Sequence, residues 1–445
     1  MTFTREVLLQ KLAALSEDAG QPSRYIVAFS GGLDSTVLLH ALAAFADTQD
    51  TPVVAVHVDH GLHQASPDWS AHCESIASEL GVDIVIQRVT VVDDAGHGPE
   101  AAARDARYRA LAGSLTTGDW LLTAHHQDDQ AETLLLNLVR GSGPVGLAGI
   151  AAIRPFAVGW LVRPLLPCAQ QDLRNYAALH ELSWIDDPSN AEQQFDRNFL
   201  RHDIMPRLES RWPEVARRLQ RSSRIAADAA SMLDDLAAID AATLGDRRDR
   251  LQIDSLCVLT IARQRNVLRY AFRQLGLAIP SEVHVQKILD EVVAAREDAE
   301  PMVCWNGVEV RRYRNQLYLL AADSSNSPGG QELVVDGKCL ELEQGLGILR
   351  LESDATEGLS RDVVELGLEL RYRRGGEKFC PSGQSHTKKL KKLLQEASVV
   401  PWMRDRIPLL YANGELVAVA DLWLAAGAAS KPGIAVRWEN RPAIH

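Results

Sequence analysis

The stretch "YIVAFSGGLDSTVLLHAL", Tyr25 to Leu42, decides how the first part of this chain folds. An apolar, β-branched run halts at Ser30-Gly31-Gly32. Leu33, Asp34 and Ser35 follow, and then Leu38, Leu42 and Phe45 fall at i, i+4 and i+7, on one helical face. The pattern is a strand, a tight glycine turn and a helix in close succession. Glycine tolerates positive φ and leaves room for close approach. The N–H groups of the turn and of the helix start then form a site for an anion. No G-x-x-x-x-G-K-[ST] string occurs, so this is not the common lysine-bearing phosphate loop. A capped strand–helix turn would account for the glycines alone. An aspartate inside an anion-holding loop is unexpected, because like charges repel.

Outward from this stretch, "PVVAVHV" (52–58), "VDIVIQRV" (82–89) and "DWLLTA" (119–124) read as further strands. Helical patterns lie between them, near 35–47, 67–80, 99–114 and 128–140. Strands alternating with helices imply right-handed βαβ units and a parallel sheet, an α/β fold. Ligands of such sheets sit beyond the carboxyl ends of the strands. The opening motif, "HVDHG" and "AHHQDD" all fall at that edge, so they are expected to converge on one site.

The remaining sequence bounds the rest. At 445 residues, about two or three domains are expected. The boundaries read as 1–215 for the α/β domain and 216–322 for a mainly helical middle domain. Residues 323–332, "DSSNSPGGQE", form a linker, and 333–445 a small α+β C-terminal domain. The middle ends in the β-like "VEVRRYRNQLYLLAA". "ELVVDG", "GILRLES", "LELRYRR" and "LVAVADLWL" read as strands beyond the linker. No apolar run approaches the ~20 residues of a membrane span. The N-terminus, "MTFTREVLLQKLAALSEDAG", reads as an amphipathic helix rather than a signal peptide. No membrane partner and a cytoplasmic location are the expectation. The six cysteines are scattered without a C-x-x-C pair, against a zinc ribbon, a dithiol redox site or a disulfide scaffold.

The formal charge is −12, yet residues 371–392 reverse the sign. Arg371, Arg373, Arg374, Lys378, Lys388, Lys389, Lys391 and Lys392 stand against Glu377 alone, a patch suited to a nucleic-acid backbone. In "KKLKKLL", Leu390, Leu393 and Leu394 are placed to face a core while the lysines face out. Elsewhere, His125, Asp129 and Glu132 are spaced i, i+4, i+7, as on one helix face. Glu100, Arg104, Arg107 and Tyr108 sit at helical spacings, as do Arg197 and Arg201. His60 and His63 lack a third metal-ligand partner and read as turn and packing residues. Asp187, Ser189 and Asn190 read as cap and turn formers.

"SGGLDS" after a first strand resembles the pyrophosphate-loop (PP-loop) motif of ATP pyrophosphatases, which split ATP into AMP and pyrophosphate to adenylate an oxygen. "HVDHGLHQAS" (57–66), "GPEAAARDARY" (98–108), "AHHQDDQAETLLLNLVRGSG" (124–143), "DDPSN" (186–190) and "RNFLR" (197–201) follow in the order and approximate spacing of the tRNA(Ile)-lysidine synthetase family. "RYRRGGEK", "KKLKKLLQEASVVPWMRDRIPLLY" and "ELVAVADLW" resemble that family's C-terminal domain. The resemblance is weakest over 220–320. It implies a Rossmann-like PP-loop ATPase domain using ATP and Mg²⁺ to join free L-lysine to C2 of the wobble cytidine of tRNA(Ile) with a CAU anticodon, through an adenylated base. It further implies that Ser30, Gly31, Gly32, Leu33, Asp34 and Ser35 hold ATP, with Asp34 on Mg²⁺, and that His57, Val58 and Arg107 border the nucleotide. Asp34, His125, Asp129 and Glu132 would be catalytic, with Asp129 and Glu132 holding lysine. Arg104, Arg197 and Arg201 would meet phosphates of ATP or tRNA, and the basic cluster the tRNA backbone. The active form would be a monomer or homodimer.

Three rivals each leave something unexplained. A tRNA thiolase needs catalytic or cluster-binding cysteines, and the scattered thiols offer no pair. An amide-forming ligase on a small molecule has no use for the basic segment. An inactive tRNA-binding protein does not account for Asp34, Asp129 and Glu132.

Overall fold

A computed structural model describes residues 2–46, 51–61, 65–91, 99–186, 196–296, 299–322, 333–334, 339–343 and 345–445. His63, Asp187, Ser189, Asn190 and the linker at 323–332 lie outside these residues. The chain forms two compact units, Met1–Met232 and Leu233–His445.

The first unit begins with α1 (Arg5–Ala19), β1 (Tyr25–Ala28), α2 (Leu33–Ala46), β2 (Val53–Asp59), α3 (Ser66–Glu79) and β3 (Asp83–Arg88). Next come α4 (Pro99–Gly113), β4 (Trp120–Leu122), α5 (Gln127–Val139), α6 (Pro144–Leu147), β5 (Ile153–Phe156), β6 (Gly159–Val162) and α7 (Gln170–Leu179). The helices α8 (Asp196–Phe199), α9 (Met205–Arg211) and α10 (Val215–Ala242) follow, with a π-helical turn at Leu200–Ile204 between the first two. The strand order is β3-β2-β1-β4-β6-β5. Every neighbouring pair is parallel except β5 with β6. The order reverses between β1 and β4, so a crevice opens at their carboxyl ends.

Both sheet faces are covered, which is why the strands read as unbroken apolar runs. Val27, Ala55 and Leu122 face one core with Leu38, Leu39 and Leu42 of α2. Ile26, Val56 and Leu121 face the other, with Leu111 of α4. Leu38 and Leu42 are fully buried, as their spacing requires. The β5–β6 hairpin carries no turn motif strong enough to read from the sequence; it turns at Ala157, whose φ is +50°.

In the second unit, helices at 253–258, 261–274 and 282–287 accompany a four-stranded antiparallel sheet made by 250–252, 316–321, 308–313 and 302–305. Phe272, Val267, Val310 and Leu317 lie in its core. The stretch read as β-like at the end of the middle region is the hairpin of this sheet. Beyond the linker, two five-stranded sheets are built from antiparallel pairs. Leu390, Leu393 and Leu394 are buried in the helix Leu390–Glu396, while Lys389, Lys391 and Lys392 are exposed. Among the described residues, no helix is long and apolar enough to cross a membrane.

Candidate active site

The glycine turn is held by its own hydroxyls. Ser30 and Ser35 Oγ atoms lie 3.0 Å apart, the Ser30 N–H donates to Ser35 Oγ at 3.3 Å, and Ser35 Oγ donates to the Gly32 carbonyl at 3.0 Å. Thr36 Oγ1 donates to that carbonyl as well, at 3.0 Å. Gly31 has φ +80°, and a Cβ there would stand 2.8 Å from both Cys73 Sγ and Ile185 Cδ1. No other residue fits that turn without displacing its neighbours. The Ile185 N–H donates to the Gly31 carbonyl at 2.8 Å and ties the turn to the chain after α7. The first N–H groups of α2 have no intrahelical partner and carry its positive dipole end.

Asp34 sits in the first turn of α2. Its Oδ1 is buried without a hydrogen-bond partner, and its Oδ2 lies 3.5 Å from His126 Nε2. An orphaned carboxylate oxygen beside an anion cradle suits Asp34 to hold a divalent cation. His126 is also 3.5 Å from Asp128 and from Asp129. Burial alone would lower its pKa. The hydrogen bonds and charges of Asp128, Asp34 and Asp129 outweigh burial and raise it to about 10, so the ring is a cation at neutral pH.

His125 does not share a helix face with Asp129 and Glu132, contrary to the spacing-based expectation. The helix α5 begins at Gln127 and His126 is its N-cap, so His125 belongs to the strand end. His125 Nδ1 is paired with Thr123 Oγ1 at 2.9 Å. Burial, reinforced by Arg163, Arg197 and Arg104 against the pull of Asp129, lowers its pKa to about 4. An imidazole so weakly basic removes protons poorly, which suits it to hydrogen bonding more than to the general-base role.

Asp129 and Glu132 lie together, almost fully buried. Arg197 Nε donates to Glu132 Oε2 at 2.8 Å and its Nη2 to Asp129 Oδ1 at 3.0 Å. Arg201 Nε donates to Glu132 Oε1 at 2.7 Å, and its Nη2 reaches Asp129 Oδ1 and Glu132 Oε2, both at 2.9 Å. The remaining Asp129 oxygen accepts the His126 N–H at 2.9 Å. Burial would raise Asp129, but His126 and Arg197 hold it below the usual carboxylate range. The two arginines expected on phosphates are thus seated on the two carboxylates expected to hold lysine.

The β2 end contributes less directly. The His57 ring is buried, with Nδ1 on the Phe29 carbonyl at 2.9 Å, so only its backbone lies at the strand edge. Val58 packs with the Ile26 core. Arg107 Nε donates to His60 Nε2 at 3.4 Å, and Arg104 lies over the Tyr108 ring at 5.3 Å. Arg163, buried at the end of β6 with Nη1 on the Ala151 carbonyl at 2.6 Å, was not singled out from the sequence; nor were His126 and Asp128. Their signal was present in the doubled "HHQDD" string, which does not say which histidine starts the helix.

In the basic segment of the second unit, Arg371 donates to Glu369 at 2.5 Å and lies 4.7 Å from the Tyr411 ring centre. Arg373 pairs with Asp405, the Arg374 N–H donates to Glu377 at 2.6 Å, and Lys388 pairs with Glu396 at 2.9 Å. Among the described residues of the segment, Lys378, Lys389, Lys391 and Lys392 are the exposed cations that carry no ion pair.

A parallel sheet with a glycine turn and its aspartate after the first strand, facing a polar helix start after the fourth strand across the point of reversal, defines a nucleotide-binding domain of the PP-loop class. The family model of the PP-loop domain matches residues 4–208. The chain belongs to the tRNA(Ile)-lysidine synthase family. The family's substrate-binding domain matches 251–318 and its C-terminal domain 368–438. The tRNA(Ile)-lysidine synthase of Alkalilimnicola ehrlichii is 42% identical over 429 residues, 96% of this chain and 95% of that one. That of Coxiella burnetii is 37% identical over 96% of this chain and 94% of its own length. That of Xanthomonas campestris pv. campestris is 41% identical over 91% of each.

Proposed function

We propose that this chain is an ATP-dependent ligase that joins free lysine to C2 of the wobble cytidine of tRNA(Ile) with a CAU anticodon. The observation that carries the reading is the meeting of the Asp34 loop with the buried Asp129–Glu132 pair at one switch point. The reaction runs in two displacements. The C2 oxygen of the cytidine attacks the α-phosphate of ATP, and the bond to the departing pyrophosphate breaks. A lysine amine then attacks C2, the C2–O bond breaks, and AMP leaves with the oxygen as the nitrogen gives up its proton.

The Ser30–Ser35 loop and the α2 N-terminus hold the pyrophosphate end of ATP, where negative charge builds. Asp34 would hold Mg²⁺, which when bound would supply charge neutralisation on the phosphates. Val58, the His57 backbone and Arg107 lie toward the nucleoside. His126 keeps the Asp34, Asp128 and Asp129 carboxylates together. Asp129 and Glu132 receive the ammonium groups of lysine. Arg104, Arg197 and Arg201 serve phosphates of ATP or tRNA. The basic part of 333–445 positions the tRNA through its backbone. The enzyme works in the cytoplasm as a monomer or homodimer.

The thiolase reading is disfavoured by the thiols. Cys73, close under Gly31, is buried and pushed up to about 12, and Cys168 up to about 11. Neither is a thiolate at neutral pH. Incubation with ATP, radiolabelled lysine and tRNA(Ile) bearing CAU is expected to label the tRNA, with mass spectrometry placing lysine on the wobble base. An unlabelled tRNA in the presence of an active control enzyme refutes the reading.

A further inference from the structure

We propose that Arg197 and Arg201 lock the lysine site of the nucleotide-free enzyme, and that ATP opens it by drawing the two guanidinium groups onto its phosphates. The inference rests on Asp129 and Glu132 being the lysine carboxylates. In the free protein all four of their oxygens are engaged, and three of the four by guanidinium N–H groups. Glu132 is 1% exposed and both of its oxygens are taken, so an incoming ammonium group finds no vacant oxygen there. The arginines already supply the two positive charges that lysine would bring. Lysine must therefore displace them, and displacement without a new partner strands buried charge.

ATP provides that partner. The guanidinium groups form the outer layer of the cluster, with Arg197 and Arg201 side chains 30% and 29% exposed over carboxylates at 12% and 2%. Burial works against the Arg201 charge, but Glu132, Asp129 and Asp34 together raise its pKa. The influence of Asp34 puts Arg201 within electrostatic reach of the loop where the phosphates are expected. Arg201 rides on the π-helical turn Leu200–Ile204, a wide turn of the kind common at functional sites. It also walls a cavity of about 220 Å³ with Asp128, Glu132, Gln170 and Glu209. When Arg201 swings toward the loop, the Glu132 carboxylate that already borders this amino-acid-sized space is released from its guanidinium partner. The consequence is ordered binding, with ATP before lysine.

Titration calorimetry of the full chain with lysine tests this, alone and saturated with a non-hydrolysable ATP analogue and Mg²⁺. Lysine is expected to bind about tenfold or more tightly with the analogue present. Arg197→Gln and Arg201→Gln should each tighten lysine binding to the free protein and shrink the effect of the analogue. Equal lysine affinity of the wild-type chain in both states overturns the lock while leaving the functional reading intact. So does a folded pair of variants that keeps the full nucleotide dependence. Absence of lysine binding in every state overturns the assignment of Asp129 and Glu132 itself. If a variant fails to fold, the wild-type comparison decides.

Discussion

Two adjacent histidines after β4 differ in charge state. His126 lies 3.5 Å from each of three carboxylates and is held protonated; His125 is held neutral by burial, with the charges of Arg163, Arg197 and Arg104 adding to it. One residue of register decides which ring meets Asp34. Sequence spacing places His125 on the face of Asp129 and Glu132, because a helix start is uncertain by a residue or two. The pair Asp129–Glu132, one turn apart, was legible because both lie inside α5, where the period holds. The partners of those carboxylates were not legible, since Arg197 and Arg201 come from about 65 residues further along the chain. The His125 environment has a pH consequence. Its folded pKa of about 4 lies below the ordinary 6.5, so its neutral form supports the fold above pH 6.5, and that support is lost as the pH falls through about 4. Chemical denaturation at pH 7, 6, 5 and 4 should show stability declining across this window. His125→Asn, which removes the titrating ring, should decline less steeply; parallel curves would mean that His125 is not the group being protonated.

The elements were legible where one physical cause dominated. The apolar strand runs and the helical periods of α2 to α5 follow from burial on both sheet faces, and their bounds fall close to those read from sequence. The sheet of the middle region was only partly legible: its hairpin opens on the alternating Val308–Tyr313, but its two other strands, 250–252 and 302–305, are short and take their conformation from pairing. The glycine turn sits at the other extreme, dictated almost residue by residue. At Gly31 both the positive φ and the contacts of Cys73 and Ile185 exclude a side chain. Gly31→Ala is therefore expected to cost about 1–3 kcal/mol in stability and to weaken binding of an ATP analogue several-fold, read by thermal melts and calorimetry. Gly32, where an added Cβ would meet nothing closer than 3.5 Å, should tolerate alanine better in stability. Equal melting losses for the two substitutions would remove the steric account of the loop.

Over the whole molecule, charge and cores are divided. The chain carries −12, yet the cations that carry no ion pair in the basic segment cluster on one helix and the strands beside it in the second unit, so net charge alone misjudges its partner. The residues proposed for the nucleotide site, by contrast, belong to the first unit: the Asp34 loop, α5 and the arginines of 197–201 all lie before Met232. The two units also hold separate buried clusters, one around Val27, Leu38 and Trp120, the others around Phe272 and Val310 and around Leu390 and Leu410. A ligand stabilises only the part of a protein it binds in the folded state, by about 2.7 kcal/mol at 100 times its Kd. For a unit of this size each kcal/mol moves Tm by about 2–4 °C. Scanning calorimetry of the full chain should therefore resolve two transitions. A saturating ATP analogue with Mg²⁺ should raise one of them by about 5–10 °C and leave the other in place. The transition that moves should be the one that Gly31→Ala lowers. If the analogue raises both transitions together, the units melt as one, and the nucleotide site draws its stability from the entire chain.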